Sequence, residues 1–92
     1  MTDDRQRWDA RHAANDAEPG APDAAVVHWV TRFGAGCGRA LDLASGLGRH
    51  ALWLAAMGYE AEAWDVSPVA LARLARWADV RGVSVRTRAL DL

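Results

Sequence analysis

The chain has 92 residues, 51% of them hydrophobic and 25% charged, with a formal net charge of −1. That length allows one small domain, and the balance is ordinary for a soluble globular chain. No basic field argues for nucleic acid or an anionic membrane surface, and no apolar run approaches the ~20 residues that span a bilayer.

The N-terminus, Met-Thr-Asp-Asp-Arg-Gln-Arg, is polar, and no secretory apolar segment follows it. The single Cys37 excludes an intramolecular disulfide and fits a reducing compartment, so a cytoplasmic location is expected. Residues 1–22 are small and polar and close on Pro19-Gly20-Ala21-Pro22. They read as an N-terminal arm of loop, with no more than a helical turn near Trp8 to Ala14. Residues 23–92 read as the folded domain.

From Asp23 to Phe33, Val26, Trp29 or Val30, and Phe33 fall on one helical face, and Gly34 and Gly36 end the helix. Arg39 to Leu43 reads as a first strand. Arg49 to Met57 is apolar on nearly every side, so this helix is expected to be deeply buried, with Gly58 as its cap. Glu60 to Val66 reads as a second strand. Ser67-Pro68 carries the signature of a helix start, a hydroxyl N-cap followed by proline at the first position. The helix to Arg81 points Leu71, Leu74, Ala75 and Ala78 inward, and Arg73 and Arg76 outward. Gly82 ends it, and Val83, Val85 and Thr87 alternate as a third strand. Connections this short force parallel strands and right-handed crossovers. The expected fold is α/β and Rossmann-like, three layers α/β/α with strands in spatial order 3-2-1, incomplete in its C-terminal half. The five Trp residues are expected mostly at core-facing positions and are not read as a stacking platform.

The chain is organised around Leu41-Asp42-Leu43-Ala44-Ser45-Gly46-Leu47-Gly48-Arg49-His50-Ala51. A strand stops at a small-residue turn and restarts as a helix, the arrangement that holds nucleotide-like cofactors at the carboxyl edge of a parallel sheet. Glycines 46 and 48 allow a sharp turn and close approach of a ligand. Gly46-x-Gly48-x-x-Ala51 also fits a dinucleotide fingerprint. Asp42 argues against that, because a carboxylate at the ligand end suits a cationic ligand better than a pyrophosphate. Asp65 follows Gly46 by nineteen positions (65 − 46), at the end of the second strand, where a carboxylate accepts ribose hydroxyls in either cofactor class.

Asp-Leu-Ala-Ser-Gly-Leu-Gly resembles the first motif, D/E-x-G/A-x-G-x-G, of class I S-adenosylmethionine-dependent methyltransferases, with Ala44 in place of the commoner glycine. Trp8-Asp9-Ala10-Arg11-His12 is similar to a W-D-x-R-Y/H lead-in of the tellurite-resistance and thiopurine group, where this arm lies over the cofactor. The resemblance implies S-adenosylmethionine as cofactor, bound by Asp42, Ala44, Ser45, Gly46 and Gly48 of the turn and by Asp65 and Val66. It also implies Asp91 on the adenine amino group, with Leu92 contributing backbone beside it. Arg49 carries no fixed role in that pattern. His12, His28 and His50 have no metal-ligand spacing and read as structural or surface, and Cys37 as inert.

The resemblance covers most of this chain, whereas the chain covers about half of such a domain. Acceptor and general-base residues in the family come from the fourth strand onward, so no catalytic residue is named and the methyl acceptor is not readable. Two alternatives stay open: an NAD(P)- or FAD-binding Rossmann domain of an oxidoreductase, and a truncated, non-catalytic remnant or subunit. The first strand carries no Lys, Pro or inward charge to protect an open edge. The 92-residue chain alone is therefore expected to self-associate along that edge and to turn over nothing.

Overall fold

The computed structural model describes residues 2–14 and 17–91. Its elements run α1 (Thr2–Ala14), α2 (Ala24–Phe33), β1 (Arg39–Leu43), α3 (Arg49–Ala56), β2 (Glu60–Asp65), α4 (Pro68–Arg81) and β3 (Val85–Ala89). The three strands form one parallel sheet with β2 in the middle. Arg39 lies opposite Glu60 and Leu43 opposite Trp64, while Ala61 lies opposite Val85 and Asp65 opposite Ala89. The order and direction are those expected from the short crossovers. Boundaries move by a residue or two: β2 stops at Asp65, β3 starts at Val85, and Met57 becomes the C-cap of α3.

One face of the sheet is covered. Ala61, Ala63 and Asp65 of β2 are buried toward α3 and α4, and Ala51, Ala63, Leu71 and Leu74 form the core with Val85 packed against it. Small side chains here let the helices come close to the strands. The other face carries Leu41, Glu62 and Arg86 in one row and Leu43, Trp64 and Arg88 in the next, with the Arg88 guanidinium 5.4 Å from the Trp64 ring. Leu43 is 57% exposed.

This one-sided cover corrects several expectations. In α3 only Ala51 and Leu52 are buried, and Met57 beyond it is exposed, because only one face of that helix meets the sheet. In α4 the inward stripe is Ala70, Leu71, Leu74 and Ala78; Ala75 is exposed. In α2, Val26 and Val30 turn toward β1, while Trp29 and Phe33 stack on each other at 5.0 Å on the surface, 59% and 64% exposed. None of the five Trp residues is in the buried class.

The arm differs most. It is a 13-residue helix, not a loop. Apolar periodicity could not reveal it, because its support comes from neighbours three and four positions apart on its own surface. Arg7 pairs with Asp4 at 2.7 Å, the Trp8 and His12 rings stack at 5.8 Å, and the Arg11 guanidinium lies 5.3 Å from the Trp8 ring. The arm packs on α4. The connector after it is strapped down: Pro19 is buried, and Arg81 donates to Glu18 Oε1 at 3.0 Å and to the Pro19 carbonyl at 3.2 Å. Polar clips hold α2. The Asp23 N–H donates to His50 Nε2 at 3.0 Å, and the Gly36 N–H donates to the Tyr59 hydroxyl at 2.9 Å.

Backbone conformation at the turn separates its small residues. Gly48 has φ 88°, and a Cβ there would lie 2.2 Å from Leu74 Cδ1. Its glycine is demanded by packing of the turn on α4, rather than by approach of a ligand. Ala44 is the one non-glycine residue with positive φ, at 54°, among those described. Gly48→Ala is expected to cost about 2–5 kcal/mol, from left-handed strain plus overpacking against Leu74. Ala44→Gly should gain about 0.5–1 kcal/mol, since relief of that strain exceeds the added freedom of the unfolded chain. Urea denaturation of the two variants beside the parent checks both signs.

Candidate functional site

Parallel strands end together, so the turns after β1, β2 and β3 gather at one edge of the sheet. The centre of that edge is Asp65, a buried carboxylate. Its Oδ2 accepts the Gly46 N–H at 2.8 Å and its Oδ1 accepts the Ser67 N–H at 2.9 Å. One side chain thus ties the turn after β1 to the start of α4. Ser67, fully buried, caps α4 by accepting the Ala70 N–H on its hydroxyl at 3.1 Å. Ser67 and Asp65 act in series, the first capping α4 and the second holding the Ser67 N–H. A carboxylate has about four lone-pair positions, so two remain for hydroxyl donors from a ligand.

Above Asp65 lies a cleft of about 320 Å³, lined by Ala44, Gly46, Asp65, Val66 and Asp91 from the sheet edge and by Asp4, Trp8 and His12 from α1. Gly46 has φ 57°, and a Cβ built on it would meet only His12 Cε1, at 3.9 Å. Here, unlike at Gly48, bare backbone faces open space. The floor is apolar at Val66, the acceptors sit at Asp65 and Asp91, and the roof is aromatic. An adenosine group matches that sequence of surfaces: a ring that can stack, and a diol and an amino group that can donate to carboxylates.

The candidate residues do not all converge on this cleft. Ser45 uses its N–H to bond the Trp64 carbonyl at 3.1 Å, and its hydroxyl is buried without a partner. Asp42 is on the helix-covered face of β1, lining a separate cleft of about 520 Å³ with Val26, Val30, His50, Leu54 and Tyr59. Its side chain sits under the start of α3, one oxygen buried and unpartnered, instead of facing the ligand end. Burial pushes its carboxyl above the ordinary 3.8, with His50 and the Ala51 N–H pulling the other way. Arg49 lines the groove of the connector with Pro19 and Trp53, away from the main cleft. The expected contribution of Leu92 lies outside the described residues.

Sequence reading missed two participants. His12, assigned to structure or surface, lines the cleft; His50 instead accepts the Asp23 N–H. Asp4 is on the cleft rim, and the four-residue spacing of Asp4, Trp8 and His12 would have shown one stripe had the arm been read as a helix. Among the described residues no cluster of His, Cys, Asp and Glu could hold a metal, and no helix is long and apolar enough to cross a membrane.

A parallel three-stranded α/β half-domain with a glycine turn, a buried strand-end carboxylate and a capped helix at its carboxyl edge is of the Rossmann-like, nucleotide-cofactor type. Residues 24–92 match the family described as tellurite resistance protein TehB, and the chain belongs to that family of S-adenosylmethionine-dependent methyltransferases. Two solved structures are similar. One comes from work on conversion of a disulfide bond into a thioacetal group during echinomycin biosynthesis: 29% identity, TM-score 0.81, covering 95% of this chain and 39% of that one. The other is TehB from Haemophilus influenzae: 26% identity, TM-score 0.69, covering 79% of this chain and 25% of that one. The chain therefore spans between a quarter and two fifths of the lengths of these two structures. No curated protein matches it in sequence.

Asp42 supplies a test of its own. With its folded value raised, the folded state holds the proton more tightly than the unfolded chain, so stability falls as pH rises from 3.8 through that higher value. Asp42→Asn, which keeps an acceptor for the Ala51 N–H, should therefore stabilise the fold at pH 7. The gain should shrink toward zero below pH 3.8, as followed by thermal melting across that range.

Proposed function

We propose that this chain is the cofactor-binding portion of an S-adenosylmethionine-dependent methyltransferase acting on an acceptor of unassigned class, in a cytoplasmic setting. One observation carries the reading: Asp65, pinned by the Gly46 and Ser67 amides, lies beneath an aromatic-roofed cleft with Asp91 lining it as well. In the proposed complex Asp65 would accept the ribose hydroxyls on its unused lone pairs. Val66 would carry the adenine face, Asp91 the adenine amino group, and the open backbone at Ala44 and Gly46 would pass the methionine end. The cofactor supplies a methyl group already activated on a sulfonium. The protein's part is then to hold that group, exclude water and set its orientation.

Nothing among the described residues of the cleft combines a base with a second pocket for an acceptor. The acceptor surface is assigned to the portion of the domain that the structural neighbours carry beyond their overlap with this chain. The isolated chain should then bind cofactor and transfer nothing. Its uncovered sheet face and the β1 edge would make it self-associate, a state that light scattering resolves.

Titration calorimetry with S-adenosylhomocysteine, S-adenosylmethionine and NAD tests the reading. The first two should bind and NAD should not; binding of NAD alone would transfer the chain to the oxidoreductase class. Asp65→Ala should weaken S-adenosylhomocysteine binding by about 1–3 kcal/mol, the cost of leaving the hydroxyls without a charged acceptor. Gly46→Ala, whose methyl would enter the cleft, should weaken binding by more than it lowers stability.

A further inference from the structure

Among the described residues, the arm α1 meets the body at a charged contact that neither the cofactor turn nor the core explains. Asp9 Oδ1 accepts the hydroxyl proton of Ser67 in a short hydrogen bond and lies 3.4 Å from the Val69 N–H. Both donors belong to the start of α4, where the backbone leaves several amides without intrahelical partners and where a carboxylate is favoured. Asp9 is thus a second cap for α4, delivered from 58 positions away in sequence. Ser67, which it holds, donates its N–H to Asp65, and Asp65 in turn holds Gly46. A single hydrogen-bonded series, Asp9–Ser67–Asp65–Gly46, runs from the arm to the floor of the cleft.

The same helix carries the roof. Trp8 and His12 line the cleft, one residue before and three residues after Asp9. The rest of α1 is polar and mostly exposed, so little apolar burial fixes its position. Its far attachment is the strap at Pro19, held by Arg81.

We propose that Asp9 is a positioning residue for the cofactor site: a latch that seats Trp8 and His12 over the glycine turn and controls how fast a bound nucleoside leaves. With the latch closed, the roof and the Asp65 carboxylate are set by one bonded series. With it open, α1 swings on the Pro19 strap while Asp65 keeps its two backbone donors. Loss of Asp9 therefore speeds release without removing any floor contact. The ligand side of this inference rests on the cofactor reading above; the latch itself does not.

The test uses the full chain and two readouts. Trypsin can cut α1 after Arg5, Arg7 and Arg11, and mass spectrometry reports each cut separately. In the ligand-free protein, Asp9→Ala should speed these cuts at least tenfold, while melting of the body falls by only a few degrees. Asp9→Asn, which keeps an oxygen for Ser67 and Val69, should restore most of the protection. In surface plasmon resonance, S-adenosylhomocysteine should dissociate at least tenfold faster from Asp9→Ala than from the parent, and Asp9→Asn should again recover most of the loss. Equal cutting of parent and Asp9→Ala would overturn the latch, and equal dissociation rates would overturn its role in positioning. Should the parent bind no S-adenosylhomocysteine, the cofactor reading fails, and the tryptic comparison still decides whether Asp9 holds the arm.

Discussion

The Asp65 carboxylate sets the geometry on which the rest of the edge depends. A buried carboxylate needs donors, and two backbone amides supply them, from Gly46 on one side and Ser67 on the other. Those amides belong to different crossovers, so satisfying one charge fixes the relative position of two loops. The arrangement leaves acceptor capacity facing the cleft. One side chain can serve both the fold and the proposed binding because a carboxylate accepts more hydrogen bonds than the backbone supplies here.

The turn after β1 divides its labour by sterics. Gly46 and Gly48 are two residues apart and both have positive φ, yet one faces open space and the other faces Leu74. The first leaves room above the backbone and the second lets α3 and α4 approach. Ala44 takes a left-handed conformation without being glycine, and so stores a small strain beside the site.

The sheet is a half-finished layer structure. Its covered face buries mostly alanine, and its other face presents Leu41, Leu43 and Trp64 among the charged side chains of Arg39, Glu60, Glu62, Arg86 and Arg88. That distribution explains why apolar residues that read as core lie on the surface. Trp29, Phe33, Leu41 and Leu43 are exposed, Trp29 and Phe33 stack on each other, and among the described residues no further layer covers them. Periodicity reports which residues seek burial and cannot report whether a covering layer is present.

The sequence alone determined the order of elements from α2 onward, the parallel sheet, the glycine turn and the place of Asp65, because each follows from local chemistry: short crossovers, backbone freedom at glycine, a hydroxyl and proline at a helix start. Gly46 and Asp65 could be assigned to one edge for the same reason. Tertiary structure alone decided the rest. Asp42 and Asp65 are both strand carboxylates on the helix-covered face, yet Asp42 lies opposite Ala63 and under α3, whereas Asp65, two residues further along β2, reaches the cleft; register along the strands sets the difference. The arm is a helix whose residues pair with each other and whose Asp9 reaches Ser67 across 58 positions, so no window of sequence contains the contact. His12 became part of the roof and His50 a clip for α2 through the same long-range packing. Local propensity names the elements; which side chains meet at the edge depends on desolvation and donor supply, and those exist only once the layers are stacked.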